Sequence, residues 1–203
     1  IGNRLDDAAI GDRRIAGVIG DAPSHYSKSP ALWNAAFDDL AMNAIYLPFD
    51  FDASHLRDFV SALRNSDRVM GINVTVPHKV QIMDFLDELD PSAERVQAVN
   101  TVVKNSAGRL IGHNTDGEGF VQSILGAQPG REAAVIKSLK GTDVLLLGAG
   151  GAARAVAFHV SDQIESGKLV ISNRTLAHAA SLAAELRKIG RNAIAIGEAE
   201  VSD

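Results

Sequence analysis

The residues of this chain that could do chemistry lie mostly just after predicted strands. They are hydroxyls, amides, one amine and one carboxylate, and in chain order they are Ser27, Ser29, Asn73, Thr75, Lys79, Asn100 and Asp116. In open α/β sheets, ligands bind outside the carboxyl ends of the strands. This mixture of groups suits a small, polyhydroxylated, acidic ligand, and a lysine near a carboxylate can move a proton at a hydroxyl or a carbonyl. Taken one at a time, each residue also has an ordinary explanation as a cap, a turn former or a solvated charge.

A second group of residues has the form of a nucleotide-binding turn. The apolar run at residues 144–147 leads directly into Gly148, Ala149, Gly150, Gly151 and Ala152, and an amphipathic helical pattern follows. Gly148 permits a sharp turn, Gly150 lets backbone N–H groups approach a pyrophosphate, and the helix N-terminus adds partial positive charge. The spacing is a variant of the dinucleotide fingerprint. By itself the signal is weak, and a plain glycine-rich strand–helix turn is the alternative.

The end of the next apolar run indicates which dinucleotide binds. The run at residues 168–172 is followed by Asn173, Arg174 and Thr175. An NAD site usually has an acidic residue here for the ribose 2′-hydroxyl, whereas an NADP site needs a cation for the 2′-phosphate. The sequence therefore favours NADP. The ordinary alternative is that Arg174 is a solvated loop residue.

Composition excludes several classes of protein. The chain has 203 residues and is 46% hydrophobic, which is enough for one large or two small domains. Its net charge of −5 argues against nucleic acid or an anionic membrane as the main partner. Without cysteine there is no disulfide or thiolate chemistry, and the six histidines show no i, i+4 pair, so we expect no metal site. We also expect no membrane span and no signal peptide.

The elements that must position the first group alternate between strand and helix. We predict strands at residues 15–20, 44–49 and 71–74, and helices that begin at Ser29-Pro30, at Ser54, after Lys79 (ending near Leu89) and at Asp90-Pro91. Residues 101–104 and 110–112 flank a turn sequence and predict a hairpin. The alternation predicts an α/β fold, and the hairpin predicts that the first sheet is mixed.

The second half contains the elements around the glycine-rich turn. We predict a helix at residues 117–125, a loop at 126–141 that includes Pro129, and a helix capped by Thr175 and ended by Gly190. Residues 192–196 are a candidate third strand. The pattern predicts two domains, at residues 15–117 and 118–203.

Six motifs occur in a fixed order along most of the chain. They lie at residues 26–30, 70–79, 98–102, 112–117, 148–152 and 173–175. Together they resemble the shikimate dehydrogenase family, which includes quinate/shikimate dehydrogenases. The Asn-Val-Thr-x-Pro-x-Lys segment at 73–79 and the Asn-Thr-Asp-Gly segment at 114–117 are much more specific than the glycine-rich turn.

The resemblance implies a reversible, NADP(H)-linked reduction of 3-dehydroshikimate to shikimate, a step of chorismate and aromatic amino acid biosynthesis. It implies a mixed-sheet substrate domain followed by a Rossmann-like NADP-binding domain. By the same resemblance, Ser27 and Ser29 bind the substrate carboxylate, and Lys79 and Asp116 form the catalytic pair. The residues expected to bind the ring hydroxyls are Thr75, Lys79, Asn100 and Asp116.

The resemblance also assigns the coenzyme contacts. Residues 148–152 would hold the pyrophosphate, and Asn173, Arg174 and Thr175 would hold the adenosine 2′-phosphate. Where the family often has Lys or Arg, this chain has His178, which leaves one firm cation and one that depends on pH. Tyr26 and Trp33 replace histidines of the family pattern, and we expect both changes to influence substrate choice.

Two alternatives remain open from the sequence. One is a non-catalytic, ligand-sensing relative, although retention of both Lys79 and Asp116 favours an enzyme. The other is quinate as the substrate. We expect a cytoplasmic protein that is a monomer or a homodimer. Because the family fold continues beyond the last predicted strand, we also expect these residues to be part of a longer chain.

Overall fold

The computed structural model describes residues 2–128 and 130–202. The chain forms two compact units, of which the first ends at Asn114 and the second begins at Thr115. Pro129, in the predicted loop at 126–141, lies outside the described residues. No helix within the described residues is long and apolar enough to cross a membrane.

The first unit is built on a mixed sheet. Within the described residues its strands are β1 (Arg14–Gly20), β2 (Ala44–Asp50), β3 (Val69–Val74), β4 (Glu88–Leu89), β5 (Thr101–Lys104) and β6 (Leu110–His113). They lie in the order β2-β1-β3-β5-β6-β4. The strand β1 is parallel to β2 and β3, while β3–β5 and β5–β6 are antiparallel. The predicted mixed sheet and the predicted hairpin are therefore confirmed.

Helices cover both faces of this sheet. They are α1 (Asp7–Ile10), α2 (Pro23–Tyr26), α3 (Ser29–Asp39), α4 (Leu56–Asn65) and α5 (Pro91–Val96), with 3₁₀ helices at Ala53–His55 and Gln81–Phe85. Successive strand residues point to opposite faces, so Ile19 packs with α4 and the second 3₁₀ helix, while Val18 packs with Phe37 of α3.

The predicted helix between Lys79 and Leu89 is wrong. Only the 3₁₀ helix Gln81–Phe85 forms, and the chain then pairs as β4 with β6. The Asp87 side chain accepts a hydrogen bond from the Leu110 N–H at 2.8 Å. The segment therefore bonds to the sheet rather than to itself, because tertiary pairing outweighs a weak local helical preference.

The predicted caps have mixed outcomes. The cap at Asp90 is confirmed, since its side chain accepts from the Ser92 N–H at 2.9 Å. The cap at Ser54 is wrong, because the 3₁₀ helix Ala53–His55 precedes α4 and Asp52 caps it by accepting from the Ser54 N–H at 2.9 Å. A carboxylate is a stronger acceptor for an N-terminal N–H than a hydroxyl.

The second unit contains a parallel sheet of the Rossmann type. Within the described residues its strands are β7 (Val144–Leu147), β8 (Leu169–Ser172) and β9 (Ala193–Ile196), in the order β7-β8-β9. Its helices are α6 (Asp116–Leu125), α7 (Gly151–Gln163) and α8 (Leu176–Lys188), followed by a 3₁₀ helix at Glu198–Ser202. The predicted third strand is confirmed. Gly190, just past α8, has a φ of +79°, as a C-terminal glycine requires.

Candidate active site

The two serines of the first motif are held together by the backbone. The Ser27 N–H donates to the Pro23 carbonyl at 2.9 Å, which ends α2. The Ser29 N–H donates to the Ser27 hydroxyl at 3.3 Å. The prediction that Ser29 caps a helix is wrong by one residue, because Ser29 is the first residue of α3 and Lys28 is the N-cap. The Ser29 hydroxyl instead bonds to the Tyr46 hydroxyl.

A polar relay connects this serine loop to Asn100. The Tyr46 hydroxyl donates to Asn73 Oδ1 at 2.6 Å, and Asn73 Nδ2 donates to Thr101 Oγ1 at 3.1 Å. Thr101 Oγ1 then donates to Asn100 Oδ1 at 3.0 Å. Burial raises the pKa of Tyr46 above its ordinary range, so its hydroxyl keeps the proton that it donates. The relay fixes the side-chain amides of Asn73 and Asn100.

Backbone hydrogen bonds bring the chain segments that contain Thr75, Lys79 and Asn100 next to one another. The Val74 N–H, directly before Thr75, donates to the Asn100 carbonyl at 2.7 Å. The Val99 N–H, directly before Asn100, donates to the Lys79 carbonyl at 2.7 Å. The first unit therefore gathers five of the predicted substrate residues. They are Ser27, Ser29, Thr75, Lys79 and Asn100.

His78 anchors the segment between Thr75 and Lys79 in the core. Its side chain is completely buried, its ring stacks on Phe51 at 5.1 Å, and Nε2 lies 2.9 Å from the Phe51 carbonyl. Because a carbonyl only accepts, Nε2 carries the hydrogen. Sequence reasoning identified neither His78 nor Tyr46. Both residues could have been suspected, because a polar side chain in a buried segment needs a hydrogen-bond partner.

Of the two side chains that depart from the motif pattern, Trp33 contacts the relay. Trp33 stacks on Tyr46 with ring centroids 6.1 Å apart and planes 14° apart, and Asn34 exchanges two hydrogen bonds with the Tyr46 backbone. Tyr26, at the end of α2, is 54% exposed. Of the two departures, Trp33 therefore has the direct contact with the relay.

Asp116 is the first residue of α6, so it belongs to the second unit, whereas Lys79 belongs to the first. The sequence pairs these two residues by motif alone. Their assignment as a pair stays a prediction.

The glycine-rich turn has the geometry that close approach of an anion needs. Gly148 has a φ of +115°, which other residues rarely adopt, and its N–H donates to the Ser172 carbonyl at 2.7 Å. A Cβ at Gly150 would meet no described atom beyond its chain neighbours within 4 Å. Gly150 is the N-cap of α7, so the N–H groups of Gly151 and Ala152 are the first of the helix. These groups can hold a phosphate.

A cavity of about 460 Å³ lies beside this turn. Its lining residues are Leu147, Gly148, Ser172, Asn173, Arg174, Glu198 and Val201. Arg174 therefore lines the same cavity as Gly148 of the glycine-rich turn, and its guanidinium can bind a phosphate there. Sequence reasoning did not identify Glu198 as a lining residue.

Thr175 and His178 shape the turn before α8. The Thr175 carbonyl accepts from Asn173 Nδ2 at 2.9 Å and from the His178 N–H at 3.0 Å. Thr175 is the N-cap of α8, as predicted, but its hydroxyl makes no cap bond and its carbonyl closes the turn instead. Among the described residues, neither Thr175 nor His178 lines the cavity.

Two family models match the chain. The model described as "Shikimate dehydrogenase substrate binding domain" matches residues 18–102, and the model described as "Shikimate / quinate 5-dehydrogenase" matches residues 131–201. Together they cover most of both units.

Individual relatives agree with these models. A shikimate dehydrogenase (NADP(+)) from Lysinibacillus sphaericus is 46% identical over 90% of this chain and 62% of that protein. The structure of shikimate 5-dehydrogenase from Thermus thermophilus in complex with NADP(H) and shikimate has a TM-score of 0.73 and 32% identity, covering 91% of this chain and 68% of that one. Quinate dehydrogenase from Corynebacterium glutamicum in complex with NAD has a TM-score of 0.75 and 26% identity, covering 95% and 67%. The chain spans about three fifths of the length of the curated relatives it matches.

Proposed function

The chain belongs to the shikimate dehydrogenase family, and we propose that it supplies the substrate site and the coenzyme turn of an enzyme that reversibly reduces 3-dehydroshikimate to shikimate with NADPH. The coenzyme turn is the glycine-rich turn at residues 148–152. The observation that carries this proposal is the network of hydrogen bonds among the predicted substrate residues of the first unit. There the serine loop is bonded through the Tyr46–Asn73–Thr101 relay to Asn100, at the place where Thr75 and Lys79 lie.

This network supports a particular orientation of the substrate. We propose that Ser27 and Ser29 donate hydrogen bonds to the carboxylate of the ligand, because two hydroxyls suit its two oxygens. The Ser29 hydroxyl has one hydrogen, so it would turn from the Tyr46 oxygen to the ligand. The ring hydroxyls would bind Thr75, Asn100, Lys79 and Asp116. The relay supports this arrangement because it fixes the Asn100 amide with its oxygen toward Thr101.

Lys79 and Asp116 would handle the proton. When bound, NADPH supplies the hydride for the carbonyl carbon of the substrate. The Lys79 ammonium would stabilise the negative charge that grows on the carbonyl oxygen and then donate its proton there. In the reverse direction, neutral Lys79 would accept the proton of the shikimate hydroxyl. Asp116 would orient Lys79 and favour its charged form, or exchange a proton with it.

The second unit would bind the coenzyme. Residues 148–152 would hold the pyrophosphate at the N-terminus of α7, supported by the open space at Gly150. Arg174 would bind the 2′-phosphate with a charge-assisted hydrogen bond. Asn173, Thr175 and His178 would shape the turn that presents Arg174.

Turnover in the reductive direction tests the proposal. We expect the full-length protein to oxidise NADPH when 3-dehydroshikimate is added and to release shikimate in equal amount. The control is the same mixture without 3-dehydroshikimate. Failure to turn over 3-dehydroshikimate, shikimate or quinate, combined with measurable binding of a cyclohexene acid, would favour a ligand-sensing protein instead.

Quinate is the second candidate substrate. The stacking of Trp33 on Tyr46, whose hydroxyl bonds Ser29, places a departure from the family pattern against the proposed carboxylate site. A comparison of kcat/KM for shikimate and quinate, each with NADP⁺ and NAD⁺, discriminates the candidates. We propose shikimate with NADP⁺ as the preferred pair.

We also propose that residues 15–117 act as the substrate domain, that residues 118–203 act as part of the coenzyme domain, and that the protein works in the cytoplasm as a monomer or homodimer. Size-exclusion chromatography with light scattering tests the oligomeric state.

A further inference from the structure

Helices α6 and α7 of the second unit touch at Gly117, the second residue of α6. Gly117 is buried. A Cβ built on it would lie 2.3 Å from the Ala155 carbonyl oxygen and 2.2 Å from His159 Nδ1, both on α7. Real Cβ atoms do not approach other atoms this closely. The two helix backbones are therefore packed at a distance that only glycine allows.

The atoms facing Gly117 cannot move aside easily. The Ala155 oxygen is part of the α7 backbone, and Ala155 is completely buried. His159 Nδ1 donates back to that same oxygen at 2.9 Å, so its ring is held against its own helix. Any side chain at position 117 must therefore shift one helix relative to the other.

Gly119 lies in the same helix as Gly117 but has open space where a side chain would be. A Cβ there would meet no described atom beyond its helical neighbours within 4 Å. Glycine in a helix interior is about 1 kcal/mol less favourable than alanine. Contacts therefore require glycine at position 117 but not at position 119.

This contact lies close to the N-terminus of α6, where Asp116 is, and close to the N-terminus of α7, where the glycine-rich turn is. Asp116 directly precedes Gly117, while α7 begins at Gly151, one helical turn before Ala155. We propose that Gly117 is a positioning residue for Asp116, which it holds at a fixed distance from the coenzyme turn. This inference rests on the proposed function, in which Asp116 acts with Lys79.

A double-mutant cycle in the full-length protein tests this inference. The variants are Gly117→Ala, Gly119→Ala, Asp116→Asn and the double variant of positions 116 and 117. Because a displacement of about 1 Å can cost about 10²-fold in rate, we expect Gly117→Ala to lower kcat at least about tenfold. NADP⁺ affinity should change less than about twofold, and Gly119→Ala should match the wild type. In the Asp116→Asn background, Gly117→Ala should have little further effect.

Other results would overturn the inference. If Gly117→Ala lowers kcat by the same factor with and without Asp116, it acts through general destabilisation and not through Asp116. If Gly117→Ala does not fold, the cycle is repeated in Gly117→Ala/His159→Ala, which removes one of the two close atoms. Failure of that variant to fold would show that Gly117 serves folding alone.

A crystal structure separates this inference from the proposed function. If the wild type turns over none of the candidate substrates, the proposed function fails. Gly117→Ala should still show α6 displaced from α7 and Asp116 moved relative to Gly150. An unchanged position of Asp116 would contradict the inference.

Discussion

At the scale of single residues, Lys79 carries the proposed chemistry. Lys79→Ala should lower kcat by about 10²–10⁴-fold, the usual contribution of general acid–base catalysis, and change KM much less. The reason is that the ammonium matters most when negative charge forms on the carbonyl oxygen. Steady-state kinetics with shikimate and NADP⁺ measures both constants.

A surface lysine provides the control for this variant. Lys140 pairs with Glu165 at 2.9 Å on the surface of the second unit, and Lys140→Ala should leave both constants unchanged. If Lys79→Ala kept its kcat and raised only KM, Lys79 would be a binding residue and the proposed mechanism would fail.

Arg174 determines the choice of coenzyme in the same account. Arg174→Ala should weaken NADPH binding about tenfold or more while leaving NADH binding nearly unchanged, because a hydrogen bond to a charged group contributes roughly 1.5–3 kcal/mol. Titration of each coenzyme into the protein measures the two dissociation constants. Lys188→Ala, an exposed change at the far end of α8, is the matched control. An equal loss for both coenzymes would remove Arg174 from the 2′-phosphate site.

Residues of the candidate site could be predicted from the sequence only where they belong to a recognisable motif. Ser27, Lys79 and Asn100 follow from motif types and their places relative to strands. Tyr46 and His78 could not be found in this way, because their roles depend on partners 17 to 27 residues away along the chain. Such partners become neighbours only after the sheet has formed.

At the scale of elements, an ion pair joins α7 to α8. Arg154 donates two hydrogen bonds to the Glu185 carboxylate, at 3.1 and 2.7 Å. These bonds lower the pKa of Glu185. A carboxyl with a lowered folded-state pKa stabilises the protein above its unfolded-state pKa, and the contribution is lost as pH falls through the folded-state value.

Glu185→Gln should therefore destabilise the protein at neutral pH and matter less in acid. Since the pair is partly exposed, we expect a loss of roughly 0.5–1 kcal/mol at pH 7, which shrinks below about pH 4. Urea unfolding at several pH values measures it, with Glu165→Gln, from an exposed surface pair, as the control. A loss independent of pH would show that the ionised form of Glu185 is not what stabilises the contact.

The elements that the sequence predicts well are those with strong local signals. Apolar runs predict β1, β3, β7 and β8, and glycine at position 190 predicts the end of α8. The segment around β4 could not be predicted, because its two-residue pairing with β6 comes from the sheet. The predicted cap at Ser54 failed because Asp52 is a stronger acceptor, and the one at Ser29 failed because its hydroxyl bonds to Tyr46.

At the scale of the whole molecule, the proposed reaction uses residues of both units. The first unit contributes the serine loop, Thr75, Lys79 and Asn100, and the second contributes Asp116 and the coenzyme turn. The order of the motifs along the chain predicts that the first unit binds the substrate and the second binds the coenzyme. It does not predict that Gly117, the residue directly after Asp116, packs against α7.

In the proposed reaction, hydride passes from NADPH to the carbonyl carbon of 3-dehydroshikimate. The most direct measurement is the reaction of 3-dehydroshikimate with NADPH deuterated at the transferable nicotinamide position, followed by mass spectrometry and NMR of the product. We expect shikimate with one deuterium on the former carbonyl carbon for each NADPH consumed. Shikimate without deuterium, or coenzyme oxidation without shikimate, would contradict it.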